Sequence, residues 1–121
     1  MVDQGAFEHL ATMVEATATQ DLSAGPLSFT TSFGTDFRLV GVFFHMTGAV
    51  SQTITVTLDA LAGAGFDTVI GKKTLSSNTD AQFVPAASLQ DFLGGNEVKI
   101  EMTDSGSPAV TVSIIVVAVK Q

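Results

Sequence analysis

The sequence contains no cysteine, no tryptophan and no tyrosine, and only five Lys and Arg in 121 residues. Without cysteine there are no disulfides, and neither a thiolate nucleophile nor a thiolate metal site can form. Five bases against twelve acids give a formal charge of −7. Nucleic acid is bound by neutralising its phosphates with Lys and Arg, so this balance excludes a nucleic-acid partner. Tryptophan and tyrosine offer sugars a flat ring with a polar edge and dominate protein–protein hot spots. Their absence weighs against a lectin-like reading, and the nine phenylalanines are left for core and apolar contact. Long apolar runs are also missing. The longest, Ile114 to Val119, is far short of the ~20 residues that cross a bilayer, so no membrane partner is expected. Residues 1–10 hold no Lys or Arg, and Asp3 and Glu8 interrupt any apolar stretch. A secretory signal needs a basic region followed by an apolar one, so synthesis and retention in the cytosol, or release by lysis, are expected.

What is present points to β-structure. Val, Ile and Thr number 34, while Leu, Glu, Lys and Arg together number 18. Branching at Cβ stiffens χ1 and suits a pleated surface better than a helix. Thr53–Leu58 alternates strictly, which turns Ile54, Val56 and Leu58 to a core. Glu97–Thr103 does the same with Val98, Ile100 and Met102. Phe29, Thr31 and Phe33 mark one face of a shorter strand, and Phe66–Ile70 and Gln82–Val84 are further short strands. Leu10–Thr19 reads as a strand, with a helical arm to about Val14 as the alternative. Turn residues separate these runs: Ala24–Pro26, Thr47-Gly48, Leu61–Gly65, Ser76–Asp80 and Gly94–Asn96. Asp104–Pro108 reads as the turn of a hairpin between the last two strands. About eight short strands in one domain predict an all-β antiparallel β-sandwich, jelly-roll-like. Residues 1–20 form its N-terminal arm or first strand and 21–121 the sandwich itself.

Two strands carry more than one apolar face. Val110, Val112, Ile114, Val116 and Ala118 line one side of the last strand. The other side changes from Thr111 and Ser113 to Ile115, Val117 and Val119. Phe37–Met46 behaves alike, with Val40, Val42, Phe44 and Met46 against Leu39, Gly41, Phe43 and His45. A sandwich strand needs one apolar face only, so something covers the second. Phe43, His45, Ile115, Val117 and Val119 are therefore the candidate interface residues of a homo-oligomer. Cover by the chain's own loops or N-terminal arm is the alternative.

The residues that carry chemistry do not converge. His45 sits among apolar neighbours and reads as a core or interface histidine bonded to backbone. His9, the other histidine, has no ligand spacing to it. Asp36, Asp59, Asp67, Asp80, Asp91 and Asp104 lie at or near turns, where Asp bonds its own backbone. Asp59 and Asp67 flank Gly63–Gly65 and could face each other as a weak cation site. No G-x-S-x-G elbow selects a nucleophile. Gly63-Ala64-Gly65 lacks the Lys and the following helix of a phosphate loop, and reads as a hairpin turn. Ser88–Asp91 could form one capped helical turn. No catalytic, cofactor-binding or metal residues, no cofactor and no enzyme activity are predicted.

The strings Phe37–His45 (FRLVGVFFH), Thr53–Ala60 (TITVTLDA), Gly65–Ile70 (GFDTVI), Thr79–Pro85 (TDAQFVP) and Gly95–Ile100 (GNEVKI) resemble small β-sandwich head decoration (cement) proteins of tailed bacteriophages. The likeness covers about residues 37–118. That group shows a strand ending in "rFHF", then "TITLDA", "G-x-x-Y-D-T-V" and "G-D-E-I". Here Phe66 replaces the tyrosine and Asn96 the aspartate. The resemblance implies a virion structural protein made in the host cytoplasm. It would sit on the capsid surface as a homotrimer, bind the major capsid protein and have no catalytic residues. The alternative is a carbohydrate- or receptor-binding module of a phage tail or fibre, using Asp59, Asp67 and Asp80, with calcium.

Overall fold

The computed structural model describes residues 13–86, 91–102 and 109–120. They form nine strands: β1 (Met13–Asp21), β2 (Leu27–Thr31), β3 (Phe37–Val50), β4 (Thr53–Asp59), β5 (Thr68–Thr74), β6 (Asn78–Phe83), β7 (Asp91–Phe92), β8 (Glu97–Met102) and β9 (Thr111–Lys120). One sheet has the order β1-β9-β3-β6, with β7 also on β3, and the other has the order β2-β8-β4-β5. Every pairing is antiparallel. Setting β7 aside, β1 pairs β9, β2 pairs β8, β3 pairs β6 and β4 pairs β5. This nesting is a long hairpin rolled into two facing sheets, which defines a jelly roll.

Alternation builds the core. Val98, Ile100 and Met102 of β8 point inward, as do Ile54 and Val56 of β4. Val112, Ile114, Val116 and Ala118 of β9 face them from the other sheet, all buried as the period of two requires. Phe37 stacks on Phe92 with centroids 4.8 Å apart, and Phe33 meets Phe37 edge-on at 4.9 Å. These rings close the core at the end where β3 begins.

The structure departs from strict alternation in two places. Between Leu39 and Gly41 the register of β3 against β9 shifts by one residue, leaving Val40 as an inserted bulge residue. Leu39, expected on the outer face beside Phe43, is therefore wholly buried, and Val40, expected inside, is 39% exposed. Leu39→Ala should cost about 2–5 kcal/mol and Val40→Ala less than about 1 kcal/mol, measured by urea denaturation; equal costs would contradict the bulge. A second shift between Val56 and Thr57 of β4 makes Ile70 of β5 the inserted residue. The register of β4 against β8 is unbroken, so Leu58 still opposes Val98 and packs against the core, half-buried, while Thr57 on the other side of the strand is covered.

Several boundaries also differ from expectation. β3 runs through Thr47-Gly48 to Val50, because Met46 still pairs with Val112 of β9 and Val50 with Asn78 of β6. β6 begins at Asn78, inside the expected turn. Phe66 belongs to a 3-10 turn (Ala64–Phe66), not to a strand. β4 and β5 are a hairpin, as the glycines of their loop suggest. The last two strands are not: β8 and β9 lie in different sheets, and the turn expected at Asp104–Pro108 lies outside the described residues. The turn proposed at Ser88–Asp91 lies outside the described residues except for Asp91, which opens β7.

Candidate functional site

The two outer faces differ in chemistry. On the β2-β8-β4-β5 sheet, Ser28, Glu101, Thr55 and Lys72 form one cross-strand row, and Thr30, Lys99, the covered Thr57 and the exposed Val69 another. Thr53 and Thr74 meet at 3.4 Å beside them. On the β1-β9-β3-β6 sheet the middle of the face is apolar. Phe43 and Ile115 are direct cross-strand partners and are 38% and 40% exposed. Val117 and Val119 continue the strip along β9, half-buried. Phe43 bends back so that its ring covers Gly41, where an added Cβ would meet the ring at 3.5 Å. The structure thus brings Phe43, His45, Ile115, Val117 and Val119 onto one face of two adjacent central strands.

His45 is not a core histidine bonded to backbone. Its side chain is exposed, and Nδ1 lies 2.8 Å from Oδ1 of Asp80 on β6. Sequence reading missed this pair because it assigned Asp80 to a turn. In β6, Asp80 is the register partner of His45, and Ser113 of β9 is its partner on the other side. Phe43, His45, Lys73, Asp80, Gln82, Ser113 and Ile115 border an open groove of about 600 Å³. Lys73 reaches it from β5 and donates from Nζ to the Gln82 carbonyl at 3.0 Å.

Hydrogen bonds from His45 and then Thr79 hold the Asp80 carboxyl below the ordinary aspartate value of 3.8. A carboxyl whose folded pKa lies below its unfolded value stabilises the fold above the unfolded pKa. That contribution is lost as pH falls through the folded value. The Asp80 carboxyl carbon should therefore titrate below pH 3.8 by NMR, and His45→Ala should raise the midpoint; an unchanged midpoint would remove the assigned cause.

Ser113, His45 and Asp80 stand in one row and are the residue types of a nucleophilic triad. Only the His–Asp half is bonded. The acids singled out for cation binding are engaged elsewhere. Asp59 Oδ1 accepts from the Leu61 amide at 2.9 Å, and Asp67 Oδ1 from the Ala60 amide at 3.2 Å. Both tie down the β4–β5 loop, as turn chemistry predicts. Asp80 lies at the other end of the sandwich, near the turn that follows β5, so Asp59, Asp67 and Asp80 do not assemble a site. Among the described residues no group of three or more acids and histidines could hold a metal, and no helix is long and apolar enough to cross a membrane. His9 and Asp104 lie outside the described residues.

The strand nesting defines a jelly-roll domain, with an apolar strip in the middle of the outer β1-β9-β3-β6 face. No family model matches the sequence, and no curated protein matches it. Two solved structures with similar folds are of infectious bursal disease virus. One, its VP2 subviral particle, shares 15% identity at a TM-score of 0.40, over 89% of this chain and 32% of that one. The other, the Gx strain, shares 14% at 0.35, over 91% and 36%. The chain spans about a third of the length of each. Neither comes from a tailed phage, and at these scores the likeness carries neither ancestry nor activity.

Proposed function

We propose that this protein is a virion structural protein, a head decoration protein that reinforces a capsid by non-covalent contact and associates with its own copies. The observation that carries the self-association is the asymmetry of the two outer faces. One is threonine-rich and charged, with Val69 a single exposed apolar residue at its β5 edge, while the other exposes an aligned Phe43–Ile115 pair in its middle, continued by Val117 and Val119. Covering such side chains stabilises by about 25 cal/mol per Å² of apolar area removed from water, before association costs. Acidic charge on the remaining surface keeps a densely repeated protein soluble and away from packaged nucleic acid. The decoration role itself is supported by the sequence resemblance to phage head proteins. Particles banded from lysates of the organism carrying the gene provide the test. The chain should co-band at a copy number comparable with the main shell protein. Its presence only in the unbanded soluble fraction would overturn the reading.

A further inference from the structure

The row order of the outer β1-β9-β3-β6 face points to one mode of pairing. We infer that two copies stack face to face about a two-fold axis running along the strands, between β9 and β3. This rests on the self-association reading and specifies its partner as a single second copy.

The registers dictate what would meet. Such an axis lays β9 of one copy over β3 of the other, and β1 over β6. One outer row reads Thr17, Ile115, Phe43, Gln82 and the next reads Thr19, Ser113, His45, Asp80. Each row is self-complementary when set against its own reverse. Ile115 falls on the partner's Phe43, and Phe43 on the partner's Ile115, so the apolar pair covers itself. Thr17 meets the partner's Gln82, and Thr19 meets the carboxylate of the partner's Asp80. Because Asp80 engages Nδ1 of His45, the neutral ring keeps its acceptor at Nε2. That acceptor falls over the hydroxyl of the partner's Ser113. The apolar middle is thus buried without stranding the polar groups beside it.

Charge selects this axis over the other face-to-face choice. Glu15 and Asp21 lie on the β1 margin, whereas the β6 margin carries Asp80, held by His45, together with Lys73, which crosses from β5 and offsets it. An axis along the strands brings opposite margins together. One across the strands sets the β1 margin on itself, acid against acid. Strands of nine, ten, fourteen and six residues, about 4.8 Å apart and rising about 3.3 Å per residue, give a face of about 600 Å² per copy, at the lower limit of a stable interface. The pairing uses this face on both copies, so it closes at two where the resemblance implies three.

The cysteine-free background makes the test direct. Thr17 and Gln82 are both exposed and stand three strand spacings apart within one chain, roughly 14 Å. A bis-maleimide shorter than that gap should link Thr17→Cys/Gln82→Cys into a dimer on a denaturing gel, with no higher ladder. Thr17→Cys and Gln82→Cys should link when mixed, and neither alone. Linking of Thr17→Cys by itself, or a ladder through trimer, would overturn the two-fold arrangement. Light scattering on the unlinked wild-type protein separates the two levels. A monomer at millimolar concentration overturns self-association altogether. An oligomer that does not link through 17 and 82 overturns only the pairing geometry.

Discussion

Ile115→Asp is expected to yield a folded monomer. Ile115 lies on a central strand with its side chain outside the core, so the loss of monomer stability is that of a surface β position, about 1 kcal/mol or less. Association is another matter. A carboxylate set against the apolar strip must be buried without a cation, and an unpaired buried charge costs several kcal/mol. Three kcal/mol already weakens association by more than ~100-fold. Asp80, in the next row of side chains and two strands away on the same face, adds like charge. Light scattering and circular dichroism together provide the check. An unchanged mass in Ile115→Asp would place the self-contact elsewhere, whereas a cooperative melt with a halved mass is the expected result. Thr55→Asp on the threonine-rich face serves as control and should change neither.

Gly71→Val is expected to have the largest effect on the monomer. Gly71 lies in β5, the edge of one sheet, and the ring of Phe83 in β6, the edge of the other, packs directly over it. A Cβ on Gly71 would overlap the Phe83 ring at Cε1 and Cζ, so the ring must leave its buried place. Overpacking costs 1–3 kcal/mol and displacing a buried phenylalanine adds to that, so a loss of about 3 kcal/mol is expected. For a chain this size that lowers Tm by roughly 10 °C or more. With no tryptophan or tyrosine, circular dichroism is the suitable readout. Phe83→Leu should recover part of the loss in the double variant, because the two side chains compete for one space. Strictly additive effects would refute the wedge.

The sequence made the period of two plain wherever a strand is straight. Val98, Ile100 and Met102, and the buried side of β9, follow from alternation alone. The apolar second face of β9 was equally legible, since Ile115, Val117 and Val119 follow Thr111 and Ser113 on one side of the strand. Bulges were not. Nothing in Leu39-Val40-Gly41 signals an inserted residue, because which of two adjacent apolar residues faces inward depends on the partner strand's register. The His45–Asp80 pair was hidden for the same reason: 35 residues separate them, and only the pairing of β3 with β6 makes them neighbours. Phe83 against Gly71 is a contact between two sheets, which no single-strand pattern encodes.

The nested pairing sets an order for folding. β4 and β5 close across an eight-residue loop, whereas β1 must find β9 about ninety residues further along. Loop closure is cheapest at the hairpin and grows dearer outward, so the roll should zip from its middle and finish at its two outermost strands, slowly for its size. β9 then arrives as a keystone between β1 and β3. Before it docks, those two strands present unpaired facing edges and are open to capture by another chain. Shortening β9 would consequently favour tangled aggregates over a merely looser monomer.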